Sequence, residues 1–462
     1  MRSFRMPLRS FSLRSFWMFL GSVPLRSLAM GVVMSGAMAA LAAAPAAAAK
    51  VERVVSPGGI EAYLMHEPSV PLIALSFYFE GGAQLETEGT AGLARMAAAL
   101  LDEGAGDLES EAFRTALEDN AIRLGFDASR DGFTGELRTL TANRDLAFEL
   151  TRLALTEPRF DAEPIERIRA QSIAMLMRRQ NDPNSLAREH FFRAAFPDHA
   201  YGLPERGTIE TVSAIDRARI VAFTERQLVR DRLHIGVAGD ITAAELAPIL
   251  DQVFGDLPAT APGPTVADVT PVGGDLVVVD QAVPQSVVFF GHGGIARKDP
   301  DYYAAYVANY ILGGGGFQSR LLQEIREKRG LAYSAYSYLI EAEHSPLWAG
   351  GVATNNADVA ESIRLVRQEV ARMAAGEISE DDLEGAKTFL TGSFPLRLTS
   401  NAQIASLLVG MSVQDLGADF LDRRNDYIEA VTLEDVRRVS ADLFDPEALL
   451  FVVVGQPQGL EG

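Results

Sequence analysis

The sequence predicts an α+β protein of two similar halves, each a mostly antiparallel sheet covered on one side by helices. Two observations lead to this fold class. The proline-rich segment 258–270 separates halves of similar length and has almost no periodic apolar pattern, which is typical of a linker. Each half also begins with an apolar strand that runs through two glycines into a helix, and each closes on a hydrophobic strand followed by glycine.

The elements of the two halves follow each other in the same order. Strands this rich in Val, Leu and Phe are typical of sheet core, and helices with charge on one side and Leu, Ile or Ala on the other are typical of a covering layer. A generic strand–helix order could arise by coincidence, but the matching first and last strands favour a duplicated domain. The corresponding segments of the first and second half are strands at 72–79 and 286–290, helices around 91–101 and 302–312, and closing strands at 233–238 and 449–454.

The first 49 residues have the anatomy of a secretory signal peptide. They contain five arginines and no acidic residue, and they end in an alanine-rich apolar run. An organelle transit peptide is also rich in arginine and serine, but its amphipathic helix would not end in a uniform alanine stretch. We therefore expect cleavage after Ala49, just before Lys50, and a periplasmic or otherwise exported protein.

This division gives four predicted segments. They are the signal peptide at 1–49, a first domain at 50–257, the linker at 258–270 and a second domain at 271–462. Each domain has a usual size. No apolar run after the signal peptide reaches membrane length, so no membrane association is expected once that segment is removed.

Charge and cysteine content narrow the possible partners and chemistries. Without the five arginines of the signal peptide, the formal charge of −20 becomes −25. Such a charge repels nucleic acid and anionic lipid and would attract basic peptides, although solubility alone is a sufficient reason for it. The absence of cysteine excludes disulfides, thiolate metal ligands and a cysteine nucleophile.

The sequence offers no self-contained catalytic motif. Its six histidines include no two at helical i, i+3 or i+4 spacing, so they do not predict a metal site on a helix. There is no GxSxG elbow, Walker A loop or GxGxxG unit. The glycines at 313–316 are not followed by Lys-Ser/Thr, so they indicate a tight helix-ending turn or a close approach of a peptide backbone.

Several sequence segments nevertheless resemble the corresponding segments of the insulinase/pitrilysin-like metallopeptidases. The resemblance covers essentially all of the chain after the signal peptide, and it implies the half-shell of a metallopeptidase clamshell. The segments are EGGAQLETEGTAGLAR at 80–95, NDP at 181–183, HAYGLPERGTIETV at 199–212, LGGGGFQSRLLQEIREKRGLAYSAY at 312–336 and ISEDDLEGAKTFLTGSF at 378–394.

Active members of that family carry an inverted zinc motif, His-x-x-Glu-His. Histidines four apart project from one helix face and bind the ion, and the glutamate serves as general base. The corresponding positions here are Arg95, Ala98 and Ala99, and the expected downstream glutamate ligand falls near Ala174 or Met175. The resemblance therefore implies a degenerate motif with no zinc in this chain.

The same resemblance implies a role for Arg326 and Tyr333 in gripping substrate near the scissile bond. Guanidinium and phenol groups can hold a substrate carbonyl or stabilise a developing oxyanion. In the structural alternative, Arg326 pairs with Glu324 or Glu327 on a solvated helix face and Tyr333 packs as an ordinary strand residue. Arg329 is the alternative arginine if the register differs by one turn.

Two-chain bacterial members of the family divide labour between a zinc-bearing chain and a chain with the Arg/Tyr pair. The expected function is thus the non-catalytic subunit of a heterodimeric zinc metallopeptidase, which contributes substrate binding and transition-state donors to peptide hydrolysis. Zinc is expected only in the homologous partner subunit. The alternative is a structural or peptide-binding protein of the same fold, and no motif favours a self-sufficient hydrolase.

Overall fold

The structure of the protein, a computed structural model, describes residues 50–460. The predicted signal peptide lies outside the described residues, so its cleavage stays a prediction. Within residues 50–257, six strands form one mixed sheet and two short strands form a separate hairpin. These strands are β1 (Val51–Val55), β2 (Glu61–His66), β3 (Leu72–Glu80), β4 (Gly104–Ala105), β5 (Leu108–Glu109), β6 (Arg123–Ala128), β7 (Gly132–Leu140) and β8 (Leu233–Gly239).

The second half contains the other main sheet. Within residues 271–460 it has five strands, and all neighbouring pairs are antiparallel except the first and last strands in sequence, which are parallel. These strands are β9 (Leu276–Asp280), β10 (Gln285–Gly293), β11 (Ala332–Ile340), β12 (Leu347–Asn355) and β13 (Leu450–Gly455).

The two sheets repeat one topology. The first has the order β1-β2-β8-β3-β7-β6 and the second the order β11-β12-β10-β13-β9. If β1 is set aside, the closing strands of the two halves occupy equivalent positions. In the first sheet β8 lies between β2, to which it is parallel, and β3, to which it is antiparallel. In the second sheet β13 lies between β9 and β10 in the same way. The predicted α+β fold class of two similar, mostly antiparallel halves is confirmed.

Helices fill the connections between the strands. Several begin at a capping box, in which a Thr or Ser side chain and an acidic side chain satisfy free backbone N–H groups; α8, α12 and α15 are examples. The helices are α1 (Leu93–Ala98), α2 (Ser110–Asp119), α3 (Arg144–Thr156), α4 (Ala162–Arg179), α5 (Pro183–Ala195), α6 (Ile209–Ser213), α7 (Arg217–Gln227), α8 (Ala243–Phe254), α9 (Tyr302–Asn309), α10 (Arg320–Leu322), α11 (Val359–Ala374), α12 (Glu380–Gly392), α13 (Asn401–Val413), α14 (Phe420–Glu429) and α15 (Leu433–Leu443).

Each sheet is covered on both faces because the two halves exchange a helix. Helix α5 of the first half lies on the second sheet, where the rings of Phe191 and Phe289 are 4.9 Å apart between centroids. Helix α13 of the second half lies on the first sheet, with Leu408 fully buried there. A Cβ on Gly236 of β8 would lie 2.3 Å from the carbonyl oxygen of Ala405, so this close approach requires glycine.

The prediction that helices cover only one side of each sheet is therefore wrong. The sequence carries a signal for the second layer, because all six residues of β13, LFVVVG, are buried. Continuous apolar runs of this kind are typical of strands buried on both faces. The covering helices come from distant parts of the chain, which the run itself cannot identify.

Two other expectations concern local elements. The helix predicted around 91–101 is shorter and covers only Leu93–Ala98. It starts after Gly92, because this residue has a φ of 94° and lies outside the α-helical region. The predicted linker 258–270 contains neither helix nor strand. The described residues form one compact unit, and the domain boundaries at the linker stay a prediction.

Among residues 50–460, no helix is long and apolar enough to cross a membrane.

Candidate functional site

The predicted degenerate zinc motif lies on α1, which is held rigidly at its N-terminus. The buried carboxyl group of Glu86 accepts hydrogen bonds from the backbone N–H groups of Gly92 at 2.9 Å and Ala94 at 2.6 Å. Burial raises the pKa of Glu86 to about 8 in spite of these hydrogen bonds. A Cβ on Gly92 would lie 2.7 Å from the carbonyl oxygen of Arg206. The start of α1 is thus fixed from two sides.

An ion-pair cluster lies where the first zinc ligand would be. The Nη1 atom of Arg95 is 2.7 Å from Oδ1 of Asp127, and its Nη2 atom donates to Glu205. Ala98 is buried, and Ala99 caps the C-terminus of the helix. Because a zinc site needs at least three side-chain donors with free electron pairs, a guanidinium and two methyl groups do not fit the ion.

The position expected for a third zinc ligand lies on α4. Ala174 and Met175 are exposed there, and the Met175 sulfur lies 3.4 Å from Nη1 of Arg206. Neither side chain is a zinc ligand of the usual kinds. Across the described range 50–460, no three His, Asp or Glu side chains come together as a metal-binding group. The described residues therefore do not fit the zinc ion that the resemblance associates with active family members.

Arg326 and Tyr333 lie side by side on the surface of the second half. Arg326 belongs to a π-helical turn, Gln323–Glu327, and Tyr333 lies near the start of the edge strand β11. The Arg326 Cζ atom is 4.8 Å from the ring centroid of Tyr333 and 4.9 Å from that of Phe317. The ladder of β11 shifts register at Tyr333, whose side chain is 78% exposed. The structure therefore brings the two predicted residues together and leaves them accessible.

The structural alternative for this pair holds only in part. The Nε atom of Arg326 is 3.5 Å from Oε1 of Glu327, an exposed pair of the kind that contributes about 0–1 kcal/mol. Glu324 is engaged by Arg329 instead, whose Nη1 also donates to the Glu324 carbonyl oxygen at 2.9 Å. Tyr333 is not packed as an ordinary strand residue. The role of the pair in catalysis stays a prediction.

The glycines at 313–316 form a tight turn that leads to Phe317. Helix α9 continues into a π-helical turn, and a Cβ on Gly313 would lie 2.3 Å from Oγ of Ser337 on β11. Gly316 has a φ of 57°, which glycine adopts most easily. The close approach is to the protein's own strand, and it places an aromatic ring over Arg326.

Sequence reasoning missed a Ser–His–Glu arrangement between the halves. His234 Nδ1 is 2.9 Å from Oγ of Ser412, and its Nε2 is 3.0 Å from Oε1 of Glu80. Ser412 lies in the last turn of α13, where the exposed carbonyl groups create a negative potential. That potential disfavours an oxyanion, so the arrangement is better suited to joining α13 to the first sheet than to hydrolysis. Glu80 and His234 come from adjacent strands, but nothing in the sequence places Ser412 beside them.

A cavity of about 790 Å³ opens between the halves, next to α5 and β11. Arg95 lines it from the first half. Ala353 lines both this cavity and the shallow recess that holds Arg326 and Tyr333. The Arg/Tyr pair therefore lies at the rim of the cavity and not inside it. At the rim, a second chain could reach the pair.

Comparisons with known proteins agree with the fold. The family model for the Peptidase M16 inactive domain matches residues 214–390. An uncharacterised zinc protease of Streptomyces coelicolor is 26% identical over 418 residues, which cover 87% of this chain and 89% of that protein. The non-peptidase homolog YmxG of Helicobacter pylori is 27% identical over 341 residues, which cover 73% of this chain and 78% of that protein.

A solved structure supports the same class. The peptidase M16 inactive domain from Pseudomonas fluorescens has a TM-score of 0.83 and 25% identity, and the match covers 89% of this chain and 99% of that chain. The two repeated sheets define a metallopeptidase-like fold, and the helix at the position of the zinc motif carries Arg95, Ala98 and Ala99. Residues 214–390 match the inactive domain of the M16 peptidase family, and most of the chain is similar to the relatives and the solved structure named above. The family resemblance inferred from the sequence is confirmed.

Proposed function

We propose that this chain is the non-catalytic subunit of a heterodimeric zinc metallopeptidase and supplies substrate donors to a homologous, zinc-bearing partner. The observation that carries the proposal is the stack of the half-buried Arg326 on the exposed ring of Tyr333. An arginine and a tyrosine that served only stability would gain more from burial or from a strong ion pair than from this surface position. The ion-pair cluster at Arg95 supports the assignment of zinc to the other chain.

The pair suits the chemistry of a zinc-activated water. When water attacks a peptide carbonyl, the oxygen becomes an oxyanion, and a positioned donor stabilises it by about 3–4 kcal/mol. The guanidinium N–H groups of Arg326 and the O–H of Tyr333 are such donors. In the isolated chain they face water, which weakens their electrostatic effect, and closure of a partner over them would exclude that water.

The proposed function also implies a class of substrate and a cellular compartment. Peptides are the proposed substrates, and the predicted signal peptide favours a periplasmic or otherwise exported complex. The strongly acidic composition disfavours nucleic acid as a partner. Zinc belongs to the partner subunit, which supplies the metal-bound water and the general base.

A second candidate is a structural or peptide-binding protein of the same fold with no role in catalysis. The name of the relative YmxG, a non-peptidase homolog, favours it. The contact between Arg326 and Glu327 also agrees with a structural role for that arginine. The two candidates differ in what happens when a zinc-bearing homologue is added.

Reconstitution tests the proposal. The chain, a homologous subunit with an intact His-x-x-Glu-His motif from the same source, and their mixture are each incubated with fluorogenic peptides. We expect cleavage by the mixture at least about a hundredfold faster than by either chain alone, because one missing donor already costs about that factor. The control is a partner whose motif glutamate is changed to glutamine, which should inactivate the mixture. A partner that is equally active without this chain would favour the structural candidate.

A further inference from the structure

The cavity between the halves has a polar, partly aromatic lining. It lies beside α5 on the second sheet, toward the edge strand β11. Ser334, Tyr336 and Tyr338 form its floor on β11, and the tyrosine rings stand 6.0 Å apart between centroids. Its walls come from the end of α4, the start of α5 and the segment 203–210. A cavity of about 790 Å³ is within the range of ligand-binding sites.

Arginines dominate the charge of this cavity. Five line it, namely Arg95, Arg130, Arg179, Arg188 and Arg206. Two of them share a carboxylate of the lining, Glu205, which bonds to Arg95 and lies 3.7 Å from Arg130. Within residues 50–460, no carboxylate lies within 4 Å of the guanidinium groups of the other three.

The remaining carboxylates of the lining do not neutralise these three arginines. Glu189 is 3.1 Å from Arg193, which lies outside the cavity. Glu210 is engaged locally, because hydrogen bonds from its own backbone and from Thr208 lower its pKa. The cavity therefore keeps an excess of positive charge.

The positive charge of the cavity is opposite in sign to the net charge of the protein. Acidic residues outnumber basic ones by 62 to 42, so carboxylate partners are abundant elsewhere on the surface. Burial lowers the pKa of Arg206, and the neighbouring charges of Arg95 and Arg179 lower it further. Like charges held together in a partly buried site are unfavourable until an anion joins them, which makes such a cluster a candidate binding site.

We propose that this cavity binds an acidic peptide segment, with its carboxylates on Arg179, Arg188 and Arg206 and its apolar parts against Tyr336 and Tyr338. Guanidinium groups match carboxylates in bidentate geometry. The three arginines come from α4, α5 and the 203–210 segment, and the charge of Arg179 acts on Arg206. Three guanidinium groups in one cavity suit several carboxylates on one peptide. The choice of a peptide over another polyanion rests on the proposed function, whereas the preference for anions rests on the cavity alone.

The net charge of the protein and the local charge of the cavity act on a peptide at different distances. A charge of −20 attracts basic peptides at long range. Inside the cavity the local charge is positive, and contacts there decide which peptide stays bound. Acidic side chains of a substrate would thus be held beside the rim at which Arg326 and Tyr333 lie.

Fluorescence anisotropy on the isolated chain tests this proposal without any partner subunit. The probe is a fluorescein-labelled peptide of Glu, Asp and Phe residues, and the matched probe has Gln and Asn in place of Glu and Asp. We expect the amide probe to bind about tenfold or more weakly. Arg179→Gln and Arg206→Gln should each weaken binding of the acidic probe by about tenfold. The affinity should also fall as salt is added.

Arg178→Gln is the matched control, because Arg178 is the exposed neighbour of Arg179 on α4 and does not line the cavity. It should bind the acidic probe like the wild type. Melting temperatures of all variants should match that of the wild type or exceed it, because the substitutions remove a repulsive charge. Equal binding of the two probes, or equal losses in Arg178→Gln and Arg179→Gln, would overturn the site.

Two competitors test the chemical class. Inorganic polyphosphate and a single-stranded oligonucleotide are titrated against the bound acidic probe. Displacement by unlabelled acidic peptide at lower concentration than by either competitor supports a peptide site. Tighter binding of polyphosphate or oligonucleotide would overturn the peptide assignment. Neither result depends on turnover of the reconstituted complex, so failure here is distinguishable from failure of the proposed function.

Discussion

Arg326→Ala or Tyr333→Phe is expected to slow the turnover of the reconstituted complex about a hundredfold or more while the complex still assembles. In the proposed function, each change removes one donor to the developing oxyanion, and such a donor contributes about 3–4 kcal/mol to the transition state. Substrate binding should change less, because the interaction is strongest after the oxygen has become charged. The measurement is kcat and KM of each variant complex, alongside the melting temperature of the variant chain.

Arg329→Ala provides the matched control for these variants. Arg329 lies just after the same π-helical turn and is also partly exposed, but its guanidinium is held by Glu324. Its loss should leave kcat unchanged. A purely structural role for Arg326 and Tyr333 predicts that activity falls only as far as folding does. An Arg326→Ala complex with wild-type turnover would remove this residue from the site.

Leu408→Ala is expected to destabilise the whole protein by about 2–5 kcal/mol, the usual cost of such a cavity in a core. Leu408 is fully buried where α13 of the second half lies on the first sheet. Trp348, the one tryptophan after the predicted signal peptide, is buried in the second sheet and reports on that half. Because the halves exchange helices, a defect at the first sheet should lower the denaturant midpoint of Trp348 fluorescence as much as that of circular dichroism.

The control for this variant is Leu396→Ala. Leu396 is 70% exposed, so its truncation should change the free energy of unfolding by less than about 0.5 kcal/mol. Coincident transitions in both signals would show that the two sheets unfold together. If Leu408→Ala shifts the circular dichroism transition but leaves that of Trp348 unchanged, the halves unfold independently and the helix exchange does not couple them.

The sheet core of the fold is readable from the sequence because burial on both faces produces uninterrupted apolar runs. The sequence predicts the strands at 72–79 and 233–238 almost to their observed ends. The exchange of α5 and α13 was not predictable in this way. An amphipathic or apolar helix shows that it packs on something, but its sequence does not identify the sheet it packs on.

In the candidate site too, the sequence predicts local contacts and does not predict contacts between distant residues. Local sequence strings placed Arg326 and Tyr333 near each other, and the structure brings their side chains into contact. The partners of Arg95 were not foreseen, because Asp127 and Glu205 are distant in sequence. The cavity arginines also come from separate segments, and a net charge summed over the chain hides a local excess of the opposite sign.

Metal analysis of the purified chain tests the central claim most directly, namely that this chain has no zinc site of its own. The chain without its predicted signal peptide is produced with zinc in the medium, dialysed against buffer without chelator, and measured for zinc per chain. Because Arg95, Ala98 and Ala99 provide no donor and a zinc site needs at least three, we expect far less than one zinc per chain. One tightly held zinc per chain, lost when a histidine such as His234 is changed to alanine, would contradict the account.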